Sequence, residues 1–462
     1  MKTEIIVVFD IGKTNKKILI FNNKLEVLSI NEEKFPITLD DDGDECDNIE
    51  LIERWIISTL QELVKSKEYN VQAVNFTTYG ASLVFLDGSG NRIAPMYNYL
   101  KKIDNNVQSK LLEQYGGECE FCRKTASPSL DGMLNSGVQL LWLQMMKPNI
   151  FKKVKSVLHL PQYLSFLISK QIVSESTSIG CHTFMWDFDN QCYHQWITDL
   201  GISLPTPFPS YHKTDIEFCG NKIKIGIGIH DSSASLVPYL KGDRAPFILV
   251  STGTWCINMN PFNNTILTNQ ELKQDCLSFL SIDQKPIKSS RFFLGYIHDE
   301  NVRILSKYFN VEEDYYKEVK TNTILLNKYL RLGAKHKVFF RDNISKNYID
   351  LSVDLSDFNN FDEAYHRFMY DLTRKCADSI DLVNNQPDLI KNIFISGGFA
   401  RNEMFVRLLS LFYNNQKVYT SEMDNSSAMG AALMVSDDAN TDINLGLKEW
   451  SFQNRPLKVS FV

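Results

Sequence analysis

The sequence predicts an α/β protein of two nucleotide-fold domains, and three stretches carry that prediction. The first is Ile5 to Phe21, an apolar run, a polar turn and a second apolar run. The second is Phe247 to Ile257, which reads as a degenerate copy of the first at the head of a second domain. The third is Ile390 to Asn402, an apolar strand that enters Ser396-Gly397-Gly398 and continues into a helix from Glu403. Short β-branched runs joined by a tight polar turn read as strand pairs. Strand, Gly-Gly, helix is the geometry for a nucleotide lying against a helix N-terminus. At 462 residues the chain is too long for one compact core, so two or three domains are expected.

The opening turn gathers Asp10, Gly12, Lys13, Thr14, Asn15 and Lys17. Glycine lets backbone approach a ligand closely. Exposed N–H groups, a hydroxyl and ammonium groups suit phosphate oxygens, and an acid beside them suits a metal ion riding on those phosphates. Taken alone, the same turn is equally a charged hairpin tip in solvent. Asp40 to Glu45 has Thr38, not an acid, five positions before its glycine, so it is not an EF-hand loop. It reads as a solvated turn before a helix over about Ile49 to Val64.

Val71 to Phe76 and Ser82 to Leu86 read as strands flanking Thr77-Thr78-Tyr79-Gly80-Ala81, which is a plain connection or the lining of a ligand site. A helix is expected over Leu134 to Met146, with Val138, Leu141, Trp142 and Met145 on one face and Pro148 as its stop. Pro161 opens another helix that carries Gln162, and His159 before it reads as a packed core histidine. Lys222 to Ile229 is a strand that delivers His230 and Asp231 to the start of a small-residue helix, where Asp231 is an N-cap or a functional carboxylate. Pro238 to Pro246 has linker-like composition and marks the domain boundary. Beyond it lie the turn Thr252, Gly253 and Thr254, a helix over Asp362 to Val383, a strand at Val418, and Ser426 to Ala432, whose small residues suit close helix packing.

The totals exclude several classes. A net charge of -6 and a pI of about 5.8 argue against a nucleic-acid surface. No apolar run approaches the roughly 18 residues of a membrane helix, and the chain enters its first strand with no signal-peptide run, so no membrane partner and a cytoplasmic location are expected. Nine cysteines, an odd and scattered set, fit reduced thiols. Cys119 and Cys122 have no second pair at zinc spacing and read as ordinary thiols.

Each motif is weak alone, but their order is informative. Taken in order, from Ile5 to about Ala432, the chain resembles the FGGY carbohydrate kinases, which are built on the actin-like ATPase (ribonuclease H-like) fold. Asp10-Ile11-Gly12 with Thr14 and Lys17 matches the family's first phosphate loop, and Gly228-Ile229-His230-Asp231 its catalytic segment. Ser251 to Trp255 matches the second phosphate loop, and Ser396-Gly397-Gly398 with Arg401-Asn402 the adenosine motif. Leu160 to Leu164 and Ser174 to Thr177 look like the segments beside the sugar pocket. Within the family, Thr77 to Ala81 and Thr14-Asn15 are similar to segments of L-rhamnulose and L-fuculose kinases. Pro95 to Lys102 departs from the pattern, having no Asp two residues before an Arg.

The resemblance implies two actin-like α/β domains with a cleft between them, over 1–240 and 246–440, followed by a tail at 441–462. It implies ATP, Mg2+ and a ketose substrate, with a 6-deoxy ketohexose such as L-rhamnulose or L-fuculose favoured and xylulose, ribulose or a polyol as alternatives. Asp231 is then the base and Asp10 the metal holder. Gly12, Thr14, Asn15, Lys17, Thr252, Gly253 and Thr254 clamp phosphates. Lys13 stands where a small or hydroxyl residue is usual, and either reaches a phosphate or faces solvent. Gly397, Gly398 and Asn402 take the adenosine. Tyr79, Gly80, Ala81, Gln162 and His230 are the sugar contacts. A non-catalytic sensor ranks lower because Asp10 and Asp231 are both present, and an ATPase with a protein client would need an appended module. Monomer and homodimer are both open.

Overall fold

The computed structural model describes residues 2–104, 106–202, 204–242, 245–333, 336–437 and 443–450. By contacts the chain divides into two compact units. One comprises residues 1–244, 264–287 and 424–444, and the other residues 245–263, 288–423 and 445–462. Segments 264–287 and 424–444, which the sequence reading places after its boundary, thus belong by contact to the first unit.

In the first unit, β1 (Thr3–Ile11), β2 (Lys16–Asn22) and β3 (Val27–Glu33) form an antiparallel meander. After α1 (Ile49–Lys65), capped by the Asn48 side chain, β4 (Tyr69–Thr78) pairs parallel to β1. The helices α2 (Val138–Met146) and α3 (Leu160–Ser169) follow. The sheet closes with β5 (Lys213–Phe218) and β6 (Asn221–Gly226), giving the order β5-β6-β4-β1-β2-β3, and β7 (Ile229–His230) also runs beside β4. The helix α4 (Asp231–Gly242) leaves directly from β7.

The second unit repeats the scheme. Strands β8 (Phe247–Thr252), β9 (Cys256–Asn260) and β10 (Pro286–Phe292) form its antiparallel meander. After α5 (Leu294–Phe309) and α6 (Phe361–Asp381), β11 (Asn392–Gly397) pairs parallel to β8. The helix α7 (Glu403–Phe412) leads to β12 (Lys417–Ser421), parallel to β11. The sheet order runs β10-β9-β8-β11-β12-β13, with β13 at Leu447–Glu449. The repeat expected from the two hairpins is therefore present as two sheets of matching order. The expected tail at 441–462 lies partly outside the described residues, and its described part supplies β13.

The remaining helix, α8 (Ser426–Val435), packs in the first unit against α4, β4 and β1. Its Ala428, Ala431 and Ala432 are buried with Ile6, Val8, Leu19 and Val237. Core packing is thus the role of its small residues. Pro238, expected in a linker, lies inside α4. Among the described residues no helix is long and apolar enough to cross a membrane.

Two local expectations change. The α2 helix begins at Val138 and buries Gln139, Leu140, Trp142 and Leu143, while Met145 is 43% exposed. The buried stripe is shifted toward Gln139 and Leu143, and the C-terminal end of the helix, Met145 and Met146, faces solvent. The acidic turn is also not simply solvated. Lys101 Nζ lies 2.6 Å from Asp40, 2.7 Å from Asp42 and 2.8 Å from Asp44, with the Asp40 and Lys101 side chains buried. An ammonium therefore sits where a calcium loop would hold its ion.

Replacing Lys101 by Met should destabilise the first unit by about 3 kcal/mol. That is the low end for breaking a buried pair, because Asp42 and Asp44 stay wetted. Burial pulls the Asp40 carboxyl upward, but Lys101 and the backbone N–H groups of Asp42 and Asp44 outweigh it and hold it below the usual range. Such a group stabilises the fold above its unfolded value, and the contribution is lost as pH falls through the folded value. Urea midpoints should therefore drop on acidification below the carboxylate range in wild type, and less so in Lys101→Met.

Candidate active site

In the first unit, β1 and β2 pair Asp10 with Lys17 and Ile11 with Lys16 across the opening turn. The Gly12 N–H donates to the Asn15 carbonyl at 2.9 Å and closes the turn, and a Cβ at Gly12 would press on that same oxygen. Thr14 is exposed, and the Asn15 side-chain carbonyl is buried with no hydrogen-bond partner. Lys17 Nζ lies 3.4 Å from Asn425 Oδ1. Lys13 takes neither of its two expected directions outright. It pairs with Asp47 at 2.5 Å, half-buried above the rings of Tyr79 and Tyr99. Asp47 also accepts from Lys16 at 3.0 Å and from the Tyr79 hydroxyl at 2.8 Å. Tyr79 is thereby anchored through its phenol.

Two carboxylates stand out. Asp10 accepts from the Ser427 hydroxyl of α8 at 2.8 Å. Burial pushes its carboxyl up to about 6, with the Asp231 charge adding to the rise and Ser427 and Lys17 opposing it. Asp231 opens α4, and its Oδ1 accepts from the Ser232 N–H at 2.6 Å. Burial pushes it up to about 6 as well, against the Ser232 hydrogen bonds and the nearby His182. An acid at the first turn of a helix also faces its positive end.

Asp231 follows a set of polar groups linked through His230, Gly80-Ala81 and Gly228. His230 Nε2 lies 3.4 Å from Asp231 Oδ1, and burial alone drives the imidazole down to about 4, so it is neutral. Gly80 leaves just enough room for it, since a Cβ there would be 2.8 Å from His230 Nε2. Ala81 has a φ of +58°, an unusual value for a residue with a Cβ. Gln139 Nε2 donates to the Ala81 carbonyl at 2.6 Å and fixes that conformation. Gln162 Nε2 donates to the Gly228 carbonyl at 3.1 Å. Three atoms of this set, Gln139 Oε1, Gln162 Oε1 and His230 Nδ1, are buried with no partner. Each unpaired buried polar atom costs about 1–3 kcal/mol. His159 is buried with its Nε2 3.1 Å from the Ser136 hydroxyl, and burial, with the neighbouring His230 and His182, drives it down to about 3, as a core histidine. Cys122 is buried and Cys119 exposed, both free thiols.

In the second unit, Gly253 and Thr254 are exposed in the turn after β8, and the Gly253 N–H closes it onto the Trp255 carbonyl. The Thr252 hydroxyl is already engaged, donating to the Ser396 carbonyl and accepting from the Phe399 N–H. Gly397 has a φ of +84°, and a Cβ there would strike the Thr252 carbonyl at 1.8 Å. Gly398 has nothing within 4 Å of a Cβ, so its backbone is open to a ligand. It lines a cavity of about 1300 Å³ with Gly253, Thr254, Tyr316, Phe399 and Asn402. The Asn402 side chain caps α7 through the Phe405 N–H and also reaches the Tyr365 hydroxyl.

Several of these groups are absent from the sequence reading. Gln139 had a signal, as the lone polar residue of Val138 to Trp142. Ser427, 417 residues from Asp10, and Asp47 had none, because only the tertiary fold brings them in.

Residues 5–221 match the N-terminal domain model of the FGGY family of carbohydrate kinases, and residues 244–329 match the FGGY carbohydrate kinase C-terminal domain. A rhamnulokinase from Halalkalibacterium halodurans is 24% identical over 262 residues, 54% of this chain and 54% of the relative. One from Mannheimia succiniciproducens is 22% identical over 259 residues, 54% and 52% of the two chains. The chain thus spans about half the length of the curated relatives it matches. Among solved structures, a carbohydrate kinase from Novosphingobium aromaticivorans superimposes with a TM-score of 0.81 at 20% identity, covering 98% of this chain and 95% of that one. A xylulose kinase from Lactobacillus acidophilus does so with a TM-score of 0.71 at 15% identity, covering 97% and 93%. With both domain models matched in order and the paired sheets and turns in place, the chain belongs to the FGGY family of carbohydrate kinases.

Proposed function

We propose that the chain transfers the γ-phosphoryl group of ATP to a hydroxyl of a ketose, with Asp231 as the base. The observation that carries this reading is the position of Asp231, which opens α4 directly after β7 with its Oδ1 3.4 Å from the buried His230 Nε2. A carboxylate held near 6 is a stronger base than an ordinary one and is still ionised at neutral pH. The sugar O–H proton would pass to Asp231 as the oxygen attacks the γ-phosphorus and ADP departs.

The donor set also suits the phosphates. The turns Gly12 to Asn15 and Gly253-Thr254, each closed by its own glycine N–H, would contact phosphate oxygens, with Lys17 adding charge. Gly397, Gly398 and Asn402 would border the adenosine. Lys13, paired to Asp47, would act by bracing the first turn. Asp10, a half-buried carboxylate that accepts from the Ser427 hydroxyl, fits Mg2+, whose contribution would be to neutralise phosphate charge. Tyr79, through its Asp47 anchor, would shape the sugar pocket together with the backbone at Gly80 and Ala81. A 6-deoxy ketohexose, L-rhamnulose or L-fuculose, is the favoured acceptor, supported by Thr77 to Ala81 and by the rhamnulokinase relatives. Nine free thiols suit a reducing cytoplasm.

The test is ADP release with and without L-rhamnulose, L-fuculose, L-ribulose and D-xylulose, scored by kcat/KM. Sugar-dependent turnover, highest with a 6-deoxy ketose, is expected. Sugar-independent turnover would point to an ATPase, and binding without turnover to a sensor.

A further inference from the structure

Cys181, His182 and His230 lie together in the first unit, and the phosphoryl-transfer reading gives them no joint role. Each offers one donor atom, and the three atoms lie within 4.8 Å of one another. Cys181 Sγ is 3.7 Å from His230 Nε2. Sulfur and nitrogen donors on one tetrahedral Zn2+, at bond lengths of about 2.3 and 2.0–2.1 Å, stand roughly 3.6 Å apart. His182 Nδ1 is 3.0 Å from the Leu134 carbonyl, which assigns it as the N–H donor and Nε2 as the nitrogen that carries the lone pair. A backbone carbonyl on the far nitrogen is how metal-binding histidines are commonly oriented. Cys181 and His230 are buried and His182 is half-buried, which supplies an approach. Asp231 Oδ1, 3.4 Å from His230 Nε2, is close enough to share the same ion.

We propose that Cys181, His182 and His230 form a binding site for a borderline-soft divalent cation of the Zn2+ class, and that a cation held there blocks Asp231. Thiolate and imidazole donors select this class over Mg2+, which takes oxygen ligands, so the site is chemically distinct from Asp10. Binding breaks the Cys181 S–H bond and forms a sulfur–metal bond, and the proton leaves to solvent with no change of oxidation state. The cation then occupies the space through which a hydroxyl must approach Asp231. The blocking consequence rests on the kinase reading, whereas the binding does not.

Co2+ is the probe, because tetrahedral thiolate coordination gives it intense visible bands and a sulfur-to-metal charge-transfer band. The titration uses the full chain with the exposed Cys119, Cys192 and Cys219 changed to Ser, which removes surface thiols. One equivalent should bind with a charge-transfer band, persist in excess Mg2+ and be displaced by Zn2+. Cys181→Ala should abolish the charge-transfer band and weaken binding at least about 10- to 100-fold, a range that outer-shell changes alone reach. His182→Ala should weaken binding similarly while its thiol remains. Thermal unfolding without metal identifies variants that fold like the parent. Absence of the band in the parent, or its persistence in a folded Cys181→Ala variant, overturns the site. In turnover assays, Zn2+ should inhibit competitively with sugar, reversibly on chelation and more weakly in Cys181→Ala. Equal inhibition of both overturns the blocking. A Co2+ band without any turnover would leave the site standing and remove the kinase reading, and turnover without a band would do the reverse.

Discussion

Asp231→Asn should lower kcat by at least about 100-fold with the best ketose, the usual scale for a lost catalytic base. The change isolates the chemistry. Asn has the same shape and is among the best residues at a helix start, so α4 should keep its first turn and the fold its stability. The Ser232 N–H that now donates to Asp231 Oδ1 can donate to the amide oxygen instead. What is lost is the basic carboxylate that the proposal assigns to accept the sugar proton. KM for the sugar should change little, because the partnerless atoms of Gln139, Gln162 and His230 are untouched. The measurement is steady-state kinetics on variant and wild type with matched unfolding curves. Equal kcat values would remove Asp231 from its role and move the search to another acid.

Gly430→Ala should be the most disruptive single methyl addition in the first unit. The new Cβ would lie 1.9 Å from the Ala234 carbonyl oxygen and 2.7 Å from its carbon. Both atoms are backbone, so no side chain can swing aside, and α8 and α4 must part. The close approach has a cause in the sequence. Pro238, four residues after Ala234 in α4, has no N–H to offer that carbonyl. Overpacking of this kind costs about 1–3 kcal/mol, and a rigid backbone obstacle places it at the upper end. The first unit's melting temperature should fall by about 5–10 °C. Activity of the still-folded fraction should fall too, because α4 begins with Asp231 and α8 carries Ser427 onto Asp10. Differential scanning calorimetry with kcat measured below the transition separates the two effects. An unchanged transition would mean the helices do not meet as described.

These two residues mark where the sequence could and could not be read. Asp231 was legible because a strand that ends in an acid at a helix start is a local pattern. The two sheets were legible for the same reason, since each hairpin turn lies within a dozen residues of chain. Gly430 was legible only as a small residue, because a run such as Ser426 to Ala432 looks alike whatever surface it packs on. Its assignment to the first unit follows from Ala234, some two hundred residues earlier, and no periodicity encodes that. The acidic turn misled for a related reason. Asp40 to Asp44 reads as solvated until Lys101 is brought over it. The loops that carry Lys13 and Tyr79 follow from local pattern, but the common partner of their side chains, Asp47, is fixed by tertiary structure alone.

The division of the first unit into three separated segments also bears on how the chain is made. Asp10 leaves the ribosome 417 residues ahead of the Ser427 that bonds it. At about 5–20 residues per second, that is a wait of roughly 20 to 80 s. Through that interval Ile6, Val8, Leu19, Ala73 and Val237 lack the alanines of α8 that cover them in the finished fold. Most of the second unit, residues 245–263 and 288–423, is synthesised before then. The half that begins first therefore waits for its last helix until most of the other half has been made, and its uncovered apolar face is the hazard that a cell or an expression host must manage during translation.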